Sequence, residues 1–339
     1  MQKFLLIIVL VEILSNKISC DFDGFLTRDV LQTWYPNLNE LTRITLLNRQ
    51  IKAIDVNAFN GLTNLTYLNL AGNKLNATLN SSLTFKSLIN LRELYFESNT
   101  LTRVGKDDFL GLTNLTMLGL SQNKISYIEI GAFNSLISLD RLYLAQNELS
   151  FLEANTFSNL VNLTSLDLHT NRLTKIEQGT FFGLKKLYSL YLQDNKLSSI
   201  DVDSFNTTKG LQVLYLDTNE LDFDCLKSLN GLSNLTMLYL FKNKFKTVGE
   251  NSFNGLVNVY WLMLNENQMT HLEQNAFAGM KKLSMINLNN NLLLRIDENL
   301  FSNLTVLRQV NIAYNPITEV DPKYVKSLCS AHPNCTIYI

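Results

Sequence analysis

Proline is scarce in this chain, with four among 339 residues, and histidine and glycine follow with three and fourteen. So few breakers leave no Pro- or Gly-rich linker at which separate domains would join. His169, His271 and His332 stand far apart. None has a Ser or Cys at nucleophile spacing or a second histidine within four residues, so signatures of nucleophilic catalysis and of a zinc site are missing. No glycine-rich phosphate loop occurs. Neither sign of charge dominates: 29 Lys and Arg face 30 Asp and Glu, a net charge of -1, with no basic field for nucleic acid and no acidic tail. The expectation is a chain that is not an enzyme and needs no cofactor or metal, with no nucleic-acid partner.

Long apolar runs are missing as well, with one exception at the start. In MQKFLLIIVLVEILSNKISC, Lys3 precedes an apolar run from Phe4 to Leu14, and Cys20 offers a small residue for cleavage. This is the pattern of a secretory signal peptide over residues 1–20. The run is shorter than the roughly 20 residues of a membrane span, and Glu12 interrupts it. The chain ends in NCTIYI, without the hydrophobic tail of a lipid-anchor signal. A secreted, extracellular protein with no membrane span is expected.

What the chain has in abundance is leucine and asparagine at fixed spacing. LYSLYLQDNKL at Leu187 aligns with LTYLNLAGNKL at Leu65, LTMLGLSQNKI at Leu115 and LQVLYLDTNEL at Leu211, mostly 24 residues apart, in twelve copies from Leu41 onward. A fixed period of this length means a stacked repeat. Within each copy the fourth and sixth places alternate as a short strand requires, so Leu190 and Leu192 point inward and Tyr191 outward. The ninth place is Asn in eleven of twelve copies, from Asn73 to Asn315, with Arg49 in the first. A column of stacked amides can serve the backbone groups of adjacent turns that water does not reach. Phenylalanine forms a second column on the return path, at Phe59, Phe85, Phe109, Phe133, Phe157, Phe181, Phe205, Phe253, Phe277 and Phe301, with Leu229 and Val325 in the other two copies. At about 1.5–3 kcal/mol per fully buried large apolar side chain, this column rivals the strands in stabilising the stack.

The pattern LxxLxLxxNxLxxIxxxxFxxLxxL closely resembles the typical 24-residue class of extracellular leucine-rich repeats, as in Toll-like receptor ectodomains and insect leucine-rich immune proteins. The resemblance spans about 290 residues. It implies an α/β repeat solenoid, a leucine-rich-repeat horseshoe with a parallel concave β-sheet and a convex face of loops or 3-10 turns. The organisation expected is an N-terminal cap at 21–40, twelve repeats over 41–328 and a C-terminal cap at 329–339. The cysteine clusters that cap many such ectodomains are missing. The N-terminal cap would instead bury Phe25, Leu31, Trp34 and Leu38, and a small-loop disulfide between Cys329 and Cys335 would close the last turn.

Outward residues carry the functional expectation. The fifth place reads Tyr143, Asp167, Tyr191, Tyr215, Tyr239 and Met263 in consecutive copies, so three tyrosines run in succession. At about 4.8 Å between strands they would form a ladder. Tyr188, Phe241 and Trp261 flank it and Asp217 supplies charge at its edge, a composition common in binding hot spots. The competing reading is that cross-strand aromatics stabilise the sheet without any ligand. With the family resemblance, the ladder implies a recognition protein that binds a protein or glycan through its concave face, in innate immunity or cell-surface signalling. An extracellular-matrix assembly protein and a secreted enzyme inhibitor are the alternatives.

Two further features stand out. If the signal is cut after Cys20, Cys225 is left without a partner. It occupies a place where other copies carry Asp or Glu, which favours an exposed thiol and a disulfide-linked dimer. Yet Asp224 falls where Ile176 and Ile200 fill the core, so the chain could shift and turn Phe223 or Cys225 inward. Nine glycosylation acceptors occur, at Asn64, Asn76, Asn80, Asn114, Asn162, Asn206, Asn234, Asn303 and Asn334. Several immediately precede the first leucine of a copy and would crowd one lateral edge with glycans, unless they are chance products of repeat duplication.

Overall fold

The computed structural model describes residues 22–77, 83–297, 300–318 and 336–339. Each repeat contributes one three-residue strand at its third to fifth places, such as Ser189–Tyr191 and Val213–Tyr215. These strands join in chain order into one parallel sheet of 13 strands, the last being Thr336–Tyr338 beside Gln309–Asn311. Register is kept from turn to turn: Leu190 pairs with Leu166 on one side and Leu214 on the other. Strand residues at the fourth place and leucines at the sixth, Leu190 and Leu192 among them, are fully buried. The outward face of this sheet is the one expected to be concave.

The asparagine column does what its spacing implies. Asn195 Nδ2 donates to Leu168 O and to Leu192 O, each at 3.1 Å, and its Oδ1 accepts from the Leu173 amide at 3.0 Å. One side chain thereby satisfies buried backbone groups in two turns. The phenylalanine column is also present. Phe109 and Phe133 stack at 6.3 Å between ring centroids, Phe133 and Phe157 at 6.0 Å, and Phe277 and Phe301 at 5.9 Å.

One regularity is carried by the backbone rather than by residue type. In all twelve copies the eighth residue has φ between 52° and 69°, yet only Gly72 is a glycine there. This left-handed residue turns the chain out of the strand and into the Asn position. Thr170 and Thr218 adopt it despite branching at Cβ, a combination that carries a steric cost.

The N-terminal cap is a strand, Phe25–Leu26, paired with Ala53–Ile54, followed by the helix Arg28–Trp34. Thr27 caps that helix by accepting from the Val30 amide at 3.3 Å. Leu31 and Leu38 are buried as expected, but Phe25 is 43% exposed and Trp34 only partly covered. Strand alternation puts Leu26 inward in place of Phe25. Trp34 is instead sandwiched by surface groups, with Phe22 edge-on at 5.1 Å and the Arg49 guanidinium 5.1 Å above its ring. Residues 1–20, Cys329 and Cys335 lie outside the described residues.

Candidate functional site

Tyr191, Tyr215 and Tyr239 sit in register on three successive strands. Their rings stack, Tyr191 on Tyr215 with centroids 5.0 Å apart and planes 18° apart, and Tyr215 on Tyr239 at 4.1 Å and 2°. All three are half-buried. Burial, followed by the hydrogen bond with the Tyr239 hydroxyl and the nearby charges of Tyr239 and Asp217, pushes the Tyr215 phenol up to about 12.

The ladder continues onto Met263, while Asp167 separates it from Tyr143. Tyr188 is 47% exposed beside the ladder. Trp261, 36% exposed, meets Tyr260 edge-on at 5.5 Å. Phe241 is half-buried one place beyond Leu240. The third places of the same strands add Val213, Met237 and Met285 in line with Trp261. These three escaped the sequence reading, although they recur at the same period. Together they make the face across these repeats an apolar strip beside an aromatic stack.

Asp217 differs from its expected role as an edge charge. It is 6% exposed, its Oδ1 has no hydrogen-bond partner, and its Oδ2 has the Thr218 hydroxyl at 3.4 Å. Burial raises its carboxyl to about 6, against weaker lowering by a backbone hydrogen bond, Thr218 and Lys242. Most other seventh places, Gln193 and Phe241 among them, are half-buried, and Leu47 is 47% exposed, so the depth of Asp217 is particular to its own surroundings. Ser189 is likewise 8% exposed, a short side chain in register with Ser165 and Val213.

A second cluster occupies the N-terminal half of the same face. The Arg43 guanidinium lies 3.7 Å over the Tyr67 ring, and Tyr67 meets Tyr95 at 5.5 Å. The Tyr95 hydroxyl donates to Glu93 Oε2 at 2.9 Å and contacts Met117 Sδ. Glu97 lies over Gly119, where an added Cβ would overlap the carboxylate. These groups satisfy one another, so this cluster reads as packing within the sheet.

The exposed-thiol reading of Cys225 is corrected by the structure. Residues Phe223–Leu229 form a 3-10 helix, capped by Asp222 accepting from the Asp224 amide at 3.0 Å. The helix turns Cys225 and Leu226 into the core, with 3% and 2% exposure, and lays Phe223 against Gly249. A buried sulfur cannot reach a second chain while the repeat is folded, and burial pushes its thiol well above the ordinary range. Glu129, Asp201 and Glu273 at the equivalent place accept from backbone amides of the preceding turn, Glu129 from the Lys106 amide at 3.0 Å.

Among the glycosylation acceptors, Asn64, Asn76, Asn114, Asn206, Asn234 and Asn303 are exposed and Asn162 is half-buried. Asn80 and Asn334 lie outside the described residues. Asn114, Asn162 and Asn234 each donate from Nδ2 to a carbonyl of the preceding repeat at 2.8 Å, and Asn64 donates to Asn39 O of the N-terminal cap at 3.2 Å. This edge ladder gives the recurring Asn a structural duty that does not depend on glycans.

The geometry defines a class: a solenoid of stacked turns with one long parallel sheet, short two-stranded parallel pairs beside it, and amide and phenyl columns inside. The chain belongs to the leucine-rich repeat family, whose model matches residues 80–125, 113–173, 161–221, 209–269 and 257–317 in overlapping windows. A second leucine-rich-repeat model matches residues 64–87. No curated protein matches the chain in sequence. Among solved structures it is similar to a leucine-rich-repeat protein of Leptospira interrogans, with 27% identity, TM-score 0.75, and 93% of this chain and 75% of that one covered. It is also similar to Toll of Drosophila, with 26% identity, TM-score 0.75, and coverage of 89% of this chain and 40% of that one. The leucine-rich-repeat part of FLRT2 shares the fold at 22% identity, TM-score 0.76, with 88% and 90% covered. No helix among the described residues is long and apolar enough to cross a membrane.

Proposed function

We propose that this chain is a secreted, non-enzymatic recognition protein that binds a macromolecular ligand, a protein or glycan, on the outward face of its sheet between Tyr143 and Met285. The observation that carries the reading is the stack of Tyr191, Tyr215 and Tyr239 beside the partly exposed Trp261. Rigid aromatic groups of this kind supply contact area with little rotamer entropy to lose. The methionines beside them adapt to varied apolar shapes. Support also comes from relatives that bind proteins: Toll is known in complex with Spatzle, described as a hub in development and innate immunity, and RGFR1, a plant peptide hormone receptor, with RGF2. An extracellular role in innate immunity or cell-surface signalling is the extension of that likeness.

The test uses the secreted protein and its Tyr191→Ala/Tyr215→Ala variant as paired baits in extracellular fluid of the producing organism. A ligand retained by the first and lost from a folded second supports the reading. Equal retention by both contradicts it.

A further inference from the structure

Charge is segregated around the turns in a way that the net charge of -1 hides. The chain enters each strand along one flank, built by the last places of one repeat and the first two of the next. Over the last six turns this flank comprises residues 182–188, 206–212, 230–236, 254–260, 278–284 and 302–308. It holds six cations, Lys185, Lys186, Lys209, Lys281, Lys282 and Arg308, and no acid. All six are exposed. The acids of the same turns lie beyond the strand or on the return path, Glu220 and Glu273 among them.

Elsewhere the solenoid matches cations with acids across neighbouring turns: Lys175 Nζ lies 3.0 Å from Asp201 Oδ1, and Lys244 Nζ 2.6 Å from Glu220 Oε2. On the flank none of the six cations has an ion-pair partner among the described residues. Lys186 Nζ donates to Asn162 Oδ1 at 2.8 Å and Lys209 Nζ to Asn206 Oδ1 at 3.3 Å, neutral amides that leave both charges uncompensated. Gly210 packs against the Lys185 carbonyl, where an added Cβ would lie 3.6 Å from that oxygen, so Lys209 stands one turn from the Lys185 and Lys186 pair. Like charges so placed repel, and a polyanion would relieve them. Lys281 and Lys282 repeat the pair at the same places four turns on, about 19 Å away at about 4.8 Å per turn, with Arg308 one turn further.

We propose that this flank binds a linear sulfated polysaccharide that runs across the turns, its sulfates on the two cationic clusters. Lysine ammonium groups on flexible stems suit sulfates whose positions vary along a polymer. The side chains exposed between the clusters are Asn230, Ser233, Asn234 and Asn254. These short polar groups match sugar hydroxyls, whereas nucleic-acid bases call for rings to stack on and a membrane for apolar groups to insert. The surface is separate from the tyrosine ladder. Choosing a polysaccharide over an intracellular polyanion rests on the secretion proposed above; recovery of the chain from culture medium tests secretion by itself, and polysaccharide binding is read independently.

The test is surface plasmon resonance of the full chain on immobilised heparin at about 0.15 M salt, where diffuse attraction between distant charges is largely screened. N-glycans are first trimmed to a single N-acetylglucosamine, because the acceptors Asn206 and Asn234 lie on this flank. Three variants are compared with wild type: Lys185→Gln/Lys186→Gln/Lys209→Gln, Lys281→Gln/Lys282→Gln/Arg308→Gln, and a control, Lys74→Gln/Lys124→Gln/Lys246→Gln. The control removes as much charge from exposed lysines on the opposite flank. Each flank variant should bind about tenfold or more weakly and the control within about threefold of wild type. Desulfated heparin should not bind. Absence of wild-type binding, equal losses in the control, or equal affinity for desulfated heparin would overturn the proposal. So would displacement from heparin by phosphatidylserine vesicles or duplex DNA at lower charge concentration than by free heparin, which would assign the flank to a membrane or a nucleic acid.

Discussion

Gln193 and Asp217 occupy the seventh place of consecutive repeats, and each buries a side-chain oxygen, Oε1 and Oδ1 respectively, that has no hydrogen-bond donor. Burial, with the Asp194 charge adding a little, raises the Asp217 carboxyl to about 6 from 3.8. The folded value lies above the unfolded one. The stability this proton contributes is therefore fully present below the unfolded value and is lost as pH rises through about 6. Asp217→Asn, which keeps a donor at every pH, should raise stability at pH 7.5 by about 2 kcal/mol and change it little near pH 3.5. Urea denaturation at the two pH values checks this; an equal increment at both would contradict it.

Asn195→Ala removes the donor to Leu168 O and Leu192 O and the acceptor for the Leu173 amide. With backbone groups left unsatisfied inside the stack, a loss of about 3 kcal/mol is expected. The same change at Asn315, which is only part-buried at the end of the column, should cost less than half as much because water can replace the amide. Denaturant titration of both variants measures the difference.

The eighth place tests the backbone argument. Gln146 sits at φ 55°. Gln146→Gly removes the left-handed steric cost but adds unfolded-state freedom, so stability should stay within about 0.5 kcal/mol of wild type. Gln146→Val should lose about 1–2 kcal/mol, since branching at Cβ is least tolerated there. A valine variant as stable as the glycine one would show that this turn relaxes.

Cys225, at 3% exposure with its thiol pushed upward, should resist an aromatic disulfide reagent in the folded protein and react once urea opens the repeat. Mass-spectrometric mapping of the label separates it from the other cysteines. Rapid labelling of Cys225 in the native state, or a reductant-sensitive dimer traced to it, would contradict its burial.

Most of the fold was legible because stacking imposes it on residue types: Leu190, Leu192, Asn195 and the phenylalanines recur since each fills an identical internal place. The left-handed eighth residue was not legible, because the chain places Gln, Thr, Asp and Lys there as readily as Gly. Hydrogen bonding across repeats holds that conformation, as when the Gln146 amide donates to His169 O at 2.9 Å. For the site, the tyrosine column followed directly from the period. The burial of Asp217 and Ser189 did not, since how deeply a side chain sinks depends on neighbours in adjacent turns. Cys225 was ambiguous for a local reason: in FDCLKSL a 3-10 helix replaces the usual return path and shifts which residues face inward.

The central claim is that recognition runs through the ladder. Its most direct test is the dissociation constant of a captured ligand for wild type, for Tyr191→Ala, Tyr215→Ala and Tyr239→Ala, and for a control outside the long sheet. Tyr127 and Phe151 serve as that control, being exposed by 37% and 48% with rings 6.0 Å apart. The account predicts a loss of about tenfold or more for at least one ladder variant and no change for Tyr127→Ala/Phe151→Ala. Full affinity in every ladder variant, or loss only in the control, would contradict it.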